Sequence, residues 1–322
     1  MEKSPSVSII IPTLNRPKLL KRALESIQEQ TFSGPIKCIV VDSSNNTKTE
    51  EVVKNLNLTK KNFIVQYQKN NFSKNAIDNY AYAIDDLSSD FSKFLNDDDW
   101  LEPSYIKECI KIFEKYSVSS VISNIRLHKE FAENKAKISN YYKYDDGIVK
   151  ENRVLNALLG IENMLPVTPT AALFRTNSLI ESFYSSLEHF DCTRHLFGFD
   201  FHMAYYPLFK GQGTYLIQKD LVNAWAGDDS MTLNVKIAKI SYCYFYSLIR
   251  LLEISQYNPT EKQKKIISHK IAVIRIKSFF NSDYKKIILP TDIKAKIIFS
   301  KVIKDLLKKL YTKFKYKFIK NQ

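Results

Sequence analysis

Residues 91–103 read FSKFLNDDDWLEP: a short apolar run, 91–95, is followed closely by Asp97, Asp98 and Asp99. Adjacent carboxylates repel one another and are poor strand formers. Three of them at the end of a strand mark either a solvated acidic loop or a place where something positive binds. The segments on either side decide between the two.

Working outward, strand and helix patterns alternate. VSIII (7–11) is a continuous β-branched run ended by Pro12, as in a strand buried on both faces. KLLKRALESIQEQ (18–30) sets Leu19, Leu20, Ala23, Leu24 and Ile27 at helical spacing, with Pro17 suited to the first turn. IKCIVVD (36–42) predicts a second strand, TKTEEVVKNLN (47–57) a second helix, FIVQYQ (63–68) a third strand and NAIDNYAYAIDDL (75–87) a third helix. FSKFL is the fourth strand, SYIKECIKIFEKY (104–116) the fourth helix and VSSVISNIRL (118–127) the fifth strand.

This alternation of apolar strands with helices predicts an α/β fold, a Rossmann-like and mostly parallel central sheet flanked by helices. Ligands of such sheets bind beyond the carboxyl ends of the strands. Thr13, Asn15 and Arg16 follow strand one, Asp42 ends strand two, residues 70–74 follow strand three, and the aspartates follow strand four. Four polar loops therefore converge on one edge of the sheet, and the carboxylates belong to a shared site.

The absence of GxGxxG and GxxxxGK[ST] excludes an ordinary dinucleotide site and a P-loop. A divalent cation is the expected phosphate neutraliser, since Mg²⁺ or Mn²⁺ is commonly held by one or two carboxylates plus substrate phosphates. No glycine-bearing calcium-loop spacing follows the aspartates. They are expected to hold a metal and a ribose.

The 322 residues, 44% hydrophobic with seven glycines, suit one large globular domain or two of ordinary size. Cys38, Cys109, Cys192 and Cys243 are far apart, without zinc spacing, and read as buried thiols of a reducing compartment. MEKSPSVSIIIPT has too short an apolar run for a signal peptide, and nothing approaches the roughly 18 apolar residues of a membrane span. A cytoplasmic chain is expected. Its net charge of +14 is uneven: residues 235–322 carry 21 Lys+Arg against 5 Asp+Glu, the remainder 27 against 29. All the excess positive charge lies in the last quarter, which places a boundary near residue 235 and bears on partners.

VSIIIPTLNRP, IVVDSS, SKN after the third strand and FLNDDDWLEP, in this order, resemble the inverting glycosyltransferases of family 2, which have the GT-A fold. The resemblance covers roughly residues 5–230. It implies a catalytic domain over 1–234, with a donor half (1–127) and an acceptor half (128–234), and a basic helical region over 235–322. It implies that Pro12, Thr13, Asn15, Arg16 and Asp42 line the donor, Thr13 and Asp42 meeting the base. Lys74 stands where the family often has arginine. The family's DxD-type motif falls on NDDD, so that Asp97 approaches the ribose and Asp98 the metal. Its first position is Asn96, where the family more usually has Asp. Asp99 is either a second metal-side ligand or the cap of the helix starting near Ser104.

In the second half, HLFGFDFHMAYYPLFKGQGTYLI (195–217) resembles the segment in which an acidic pair opens a helix; Asp200 matches the carboxylate and Phe199 replaces its acidic partner. Asp200 is the expected general base for an inverting transfer, with a helix N-cap as its structural alternative. PVTPTAALFR (166–175) resembles the small-residue stretch on the acceptor side: Thr170, Ala171 and Ala172 either admit substrate or pack as a strand. NAWAGDDSM (223–231) falls where relatives carry a loop with a metal-side histidine, absent here. Trp225 is placed to stack on a sugar, and Asp228 or Asp229 either replaces that ligand or is solvated. His128, His189, His195, His202 and His269 form no cluster with ligand spacing.

Residues 235–322 read as helices in which lysines interleave with Tyr, Phe, Ile and Leu. Three partners compete: an anionic membrane surface, the catalytic domain itself, and nucleic acid. Lipid-linked acceptors, common for such enzymes, favour the membrane and no nucleic acid. The resemblance thus implies a metal-dependent inverting transfer from a nucleotide sugar, UDP foremost, to a glycan or lipid-linked acceptor. The setting it implies is bacterial surface polysaccharide assembly on the cytoplasmic side of the inner membrane. A nucleotidyltransferase, which would need a glycine-bearing loop in place of PTLNRP, and a non-catalytic basic binding protein are the alternatives.

Overall fold

The computed structural model describes residues 4–72, 75–131, 134–189, 197–227 and 237–280. The first half runs β1 (Val7–Thr13), α1 (Pro17–Gln28), β2 (Ile36–Asp42), α2 (Lys48–Lys54), β3 (Phe63–Lys69), α3 (Ala76–Ile84) and β4 (Phe91–Phe94). Then come β5 (Trp100–Leu101), α4 (Tyr105–Lys115), β6 (Ser120–Phe131), β7 (Asn134–Ile138), β8 (Gly147–Ile148) and α5 (Glu151–Leu159). A 3-10 turn (Pro169–Ala171) leads to β9 (Ala172–Arg175), α6 (Thr176–His189), α7 (Phe199–Phe209), β10 (Thr214–Gly227), α8 (Ile237–Ile254) and α9 (Glu261–Phe280).

The ten described strands form one sheet in the order β3-β2-β1-β4-β9-β6-β10-β5, with β7 on β6 and β8 on β10. β3, β2, β1 and β4 are parallel neighbours, as are β6 and β10. β9 lies antiparallel between β4 and β6, and β5 antiparallel on β10. β1 to β4 therefore form the parallel sheet expected, and short antiparallel strands join it to the rest. Ile9, Ile10, Ile11, Cys38, Ile39 and Val40 are fully buried along the two central strands. α3 packs on both strands, and α1 buries Leu20, Ala23, Leu24 and Ile27 near α2 and β5, each Leu or Ile contributing about 1.5–3 kcal/mol by burial.

Two expectations need correction. β1 does not stop at Pro12 but runs to Thr13. The Ile10 carbonyl accepts from Leu95, on the β4 side, and Pro12 two residues on faces the same side, past the last β1–β4 pair at Phe94. The missing N–H thus interrupts no ladder. β3 is half-exposed after Phe63 because it is an edge strand, not one covered on both faces.

Contacts divide the chain into two compact units, Met1–Tyr257 and Asn258–Gln322. α8, which the charge boundary near 235 assigned to the basic region, lies within the first. It packs on α7 and α5 and buries Cys243, Phe245, Leu248 and Leu251. Of the three partners weighed for the basic region, α8 packs on its own chain, within the first unit. In the second unit α9 buries Ile267, Ile271, Ala272 and Ile274 and exposes Lys262, Lys264 and Lys265. No described helix is long and apolar enough to cross a membrane.

Candidate active site

The loops beyond β1, β2 and β3 are pinned to one another by side chains. Asp42, fully buried at the end of β2, accepts from the Ser44 N–H at 2.8 Å, from Tyr67 Oη at 2.7 Å and from Lys69 Nζ at 3.3 Å. Tyr67 and Lys69 alternate along β3, and the register sets Lys69 opposite Asp42. Burial and the Asp42 contact push the Tyr67 phenol up. Asn15 adopts a positive φ of 57°, a region asparagine tolerates. From there its N–H donates to Ser44 Oγ at 2.7 Å and its Oδ1 accepts from Asn46 at 3.0 Å. Ser43 Oγ and Asn70 Nδ2 both donate to Asn79 Oδ1 on α3, at 2.7 and 2.8 Å.

The three aspartates beyond β4 face different partners. Asp97 turns to β1, where Thr13 Oγ1 donates to it at 2.8 Å. Its carboxyl is pushed up to about 7 by burial and by the neighbouring Asp98, against the opposing pull of Arg16 and Thr13. Asp99 turns to β10 and accepts from the Trp225 N–H at 3.0 Å and from Asn96 Nδ2 at 3.3 Å. Burial and Asp98 push it, too, up to about 7. Asp99 is not the cap of α4: Ser104 holds that position, with no side-chain cap bond. Asn96 also accepts from Tyr80 Oη at 2.9 Å. Asp98 is the least buried of the three, and its carboxylate meets the Arg16 guanidinium at 3.1 Å.

Among the described residues, no three His, Cys, Asp or Glu side chains gather as a self-sufficient metal centre. Asp98 is the most exposed carboxylate of the triplet, and it attracts a guanidinium. This donor set fits Mg²⁺ or Mn²⁺ taking one carboxylate from the protein and its other oxygens from substrate phosphates and water. It does not fit an ion caged wholly by protein.

Beneath this loop Lys93 is fully buried, donating from Nζ to the Thr170 carbonyl at 2.7 Å and lying 3.8 Å from the Tyr105 ring centre. Burial pushes its ammonium down to about 7. Thr170, expected on the acceptor side, is itself fully buried in the 3-10 turn, and its Oγ1 accepts from the Asn96 N–H at 3.3 Å. It supports the aspartate loop from below. Ala171 is likewise buried in the turn, and Ala172 opens β9.

Asp200 lies in the first turn of α7 and is not its cap, which is Gly198 at φ 98°. Burial pushes its carboxyl up to about 6. Burial raises the Tyr80 phenol, and so, in order, do the charges of Asp200, Asp99, Asp97 and Asp98. Tyr80 is thus within electrostatic reach of both acidic groups. Its ring stacks on Phe94 at 3.9 Å, Phe94 meets Phe183 at 5.9 Å, and Phe183 meets Phe199 at 5.7 Å. This aromatic chain joins the aspartate strand to the start of α7. Burial and the Asp200 charge also raise Tyr244, so α8 contributes to the surroundings of Asp200.

Trp225 contributes through its backbone to Asp99 and through its indole to Arg22, whose guanidinium lies 4.9 Å from the Trp225 ring centre and 3.9 Å from that of Trp100. Arg22 Nη2 donates to the Asp98 carbonyl at 2.7 Å. Sequence reasoning missed Arg22, Trp100, Tyr80 and Lys93, whose partners are distant in the chain. Tyr67 and Lys69 carried a signal, their alternation opposite Asp42. The expectations for Lys74, Cys192, His195, Asp228 and Asp229 lie outside the described residues.

Residues 8–183 match the family model of glycosyl transferase family 2. A GalNAc(5)-diNAcBac-PP-undecaprenol beta-1,3-glucosyltransferase of Campylobacter jejuni is 38% identical over 98 residues, 30% of this chain and 31% of that protein. An uncharacterised glycosyltransferase of Methanocaldococcus jannaschii is 30% identical over 149 residues, 44% of this chain and 51% of that one. The match thus spans about a third to a half of the length of these relatives. Residues 1–349 of S. aureus TarS in complex with UDP-GlcNAc share the fold, with a TM-score of 0.57 and 13% identity over 83% of this chain and 72% of that one. With more than half its length matched by the family model and the GT-A-like fold around it, the chain belongs to glycosyl transferase family 2.

Proposed function

We propose that the protein transfers a sugar, with inversion, from a nucleotide-sugar donor to a glycan or lipid-linked acceptor in bacterial surface polysaccharide assembly. The observation that carries this reading is the pairing of two acidic groups around Tyr80: the aspartate triplet beyond β4, and Asp200, held near pKa 6. Pro12, Thr13, Asn15, Arg16 and Asp42 line the donor, Thr13 and Asp42 at its base; Asp97 meets the ribose, and Asp98 would hold the divalent cation. A bound Mg²⁺ or Mn²⁺ would supply charge stabilisation for the departing diphosphate. Asp200 accepts the acceptor hydroxyl's proton as the new glycosidic bond forms and the bond from the sugar to the nucleoside diphosphate breaks.

UDP is the favoured nucleotide; the UDP-GlcNAc held by TarS supports this at the level of the fold. The lipid-linked acceptor in the name of the Campylobacter relative supports an acceptor of that class. Such an acceptor would place the enzyme on the cytoplasmic face of the membrane, attached through its basic C-terminal region. Calorimetry of UDP-sugars with Mn²⁺ or with EDTA tests the site. Asp98→Ala is expected to abolish metal-dependent binding with the fold intact. Unchanged, EDTA-insensitive affinity in that variant would overturn the donor assignment.

A further inference from the structure

We infer that Arg16 is an exchangeable counter-ion that couples divalent-cation binding to nucleotide binding, an inference that rests on the donor and metal reading above. Its Nη1 bridges two carboxylates, 3.4 Å from Asp97 Oδ1 and 3.1 Å from Asp98 Oδ2. The side chain is about a third exposed, and the residue precedes α1 with a non-helical backbone, φ −123° and ψ 53°. It can leave the carboxylates without disturbing the helix, whose first residue is Pro17.

Arg16 therefore covers the carboxylate assigned to the metal. Two cations at one carboxylate repel each other, so Arg16 on Asp98 opposes a divalent ion there, and its withdrawal favours the ion. The released guanidinium has a destination. It belongs to the loop of Thr13 and Asn15, which faces the nucleotide, and its planar fork suits the oxygens of a diphosphate. Arg16 then has charged partners in each state: the Asp97 and Asp98 carboxylates in the free protein, diphosphate in the loaded one. Because coupling between two ligands is reciprocal, each then favours the other.

Manganese titrations followed by the paramagnetic resonance of the free ion, on the full chain with and without UDP, test this. For the native protein, Mn²⁺ alone is expected to bind weakly, and UDP to tighten it by about tenfold or more. Arg16→Gln is expected to bind Mn²⁺ alone about tenfold more tightly than the native chain and to show a smaller UDP enhancement, the part that comes from phosphate oxygens on the ion remaining. Arg16→Lys, which keeps the charge, should keep weak binding of Mn²⁺ alone. Arg16→Gln with native Mn²⁺ affinity and a native UDP enhancement would overturn the counter-ion role while leaving the metal reading intact. Absence of Mn²⁺ binding by every form, even with UDP, would overturn both.

Discussion

Asp200 shows how burial sets the chemistry of one side chain. A carboxyl with a pKa of about 6 is largely ionised at pH 7 yet more basic than an exposed aspartate, which suits a group that must take a proton. As the proposed base it loses its active form as pH falls through 6, so the transfer rate of the native enzyme is expected to rise through that range and then level. Asp200→Asn should lower transfer by roughly 100-fold or more, remove this inflection and leave nucleotide affinity unchanged. A variant that transfers at the native rate would move the base elsewhere. Because the folded pKa is raised, the residue's stability contribution is present at low pH and lost as pH rises through 6. The asparagine variant should therefore gain melting temperature relative to the native chain as pH goes from about 4 to about 6, and hold that gain above.

Lys93 gives the opposite slope. Its folded pKa, near 7, lies below that of an exposed lysine, so unfolding takes up a proton above pH 7 and native stability rises from there toward the ordinary lysine range. Lys93→Met leaves the Thr170 carbonyl without its donor, a cost of about 1–3 kcal/mol, but removes a buried ammonium, whose desolvation costs several. The variant should melt higher than the native protein at pH 6, with the gap narrowing toward pH 9. A lower melting temperature at pH 6 would mean that the ammonium is better solvated than its burial implies. None of this was legible in FSKFL, where Lys93 looks like any strand residue. The aspartates were legible because they are contiguous. Their division among Thr13, Arg16 and the Trp225 N–H was not, because those partners lie far away in the sequence.

At the scale of elements, β1, β2 and α1 were readable because each is long and its apolar pattern unbroken. β5 and β9, two and four residues long, carry no periodicity and exist only because β10, β4 and β6 present open edges to them. The start of α7 is where element geometry reaches the proposed base. Gly198 caps the helix at φ 98°, where an L side chain is strained, and Asp200 follows two residues later. Gly198→Ala is expected to cost about 1–2 kcal/mol and to shift the first turn of α7. Melting temperature should fall by several degrees, and transfer should fall more than nucleotide binding does. Calorimetric binding of UDP beside a transfer assay separates the two; equal losses in both would place the strain in the whole fold.

For the whole molecule, the central asymmetry is charge. The segment to residue 234 is nearly balanced, while 235–322 holds the entire excess. α8 spends its apolar face on α7, within the first unit, so membrane attachment, as proposed, falls to the segments beyond Tyr257. There α9 exposes Lys262, Lys264 and Lys265, and residues 297–322 add eight lysines against one aspartate. A lysine near an anionic bilayer contributes about 1 kcal/mol, so even half of these would hold the protein at low salt and release it at high salt. Removing residues 297–322 should therefore release the protein from vesicles containing anionic lipid while sparing donor hydrolysis, since every proposed donor and base residue lies before 201. Co-sedimentation of full-length and shortened protein, at low and high salt, measures the first, and UDP release from a UDP-sugar the second. Equal sedimentation of the two forms would confine any attachment to residues before 297. Full-length protein that ignores anionic lipid but binds RNA would assign the charge to nucleic acid instead.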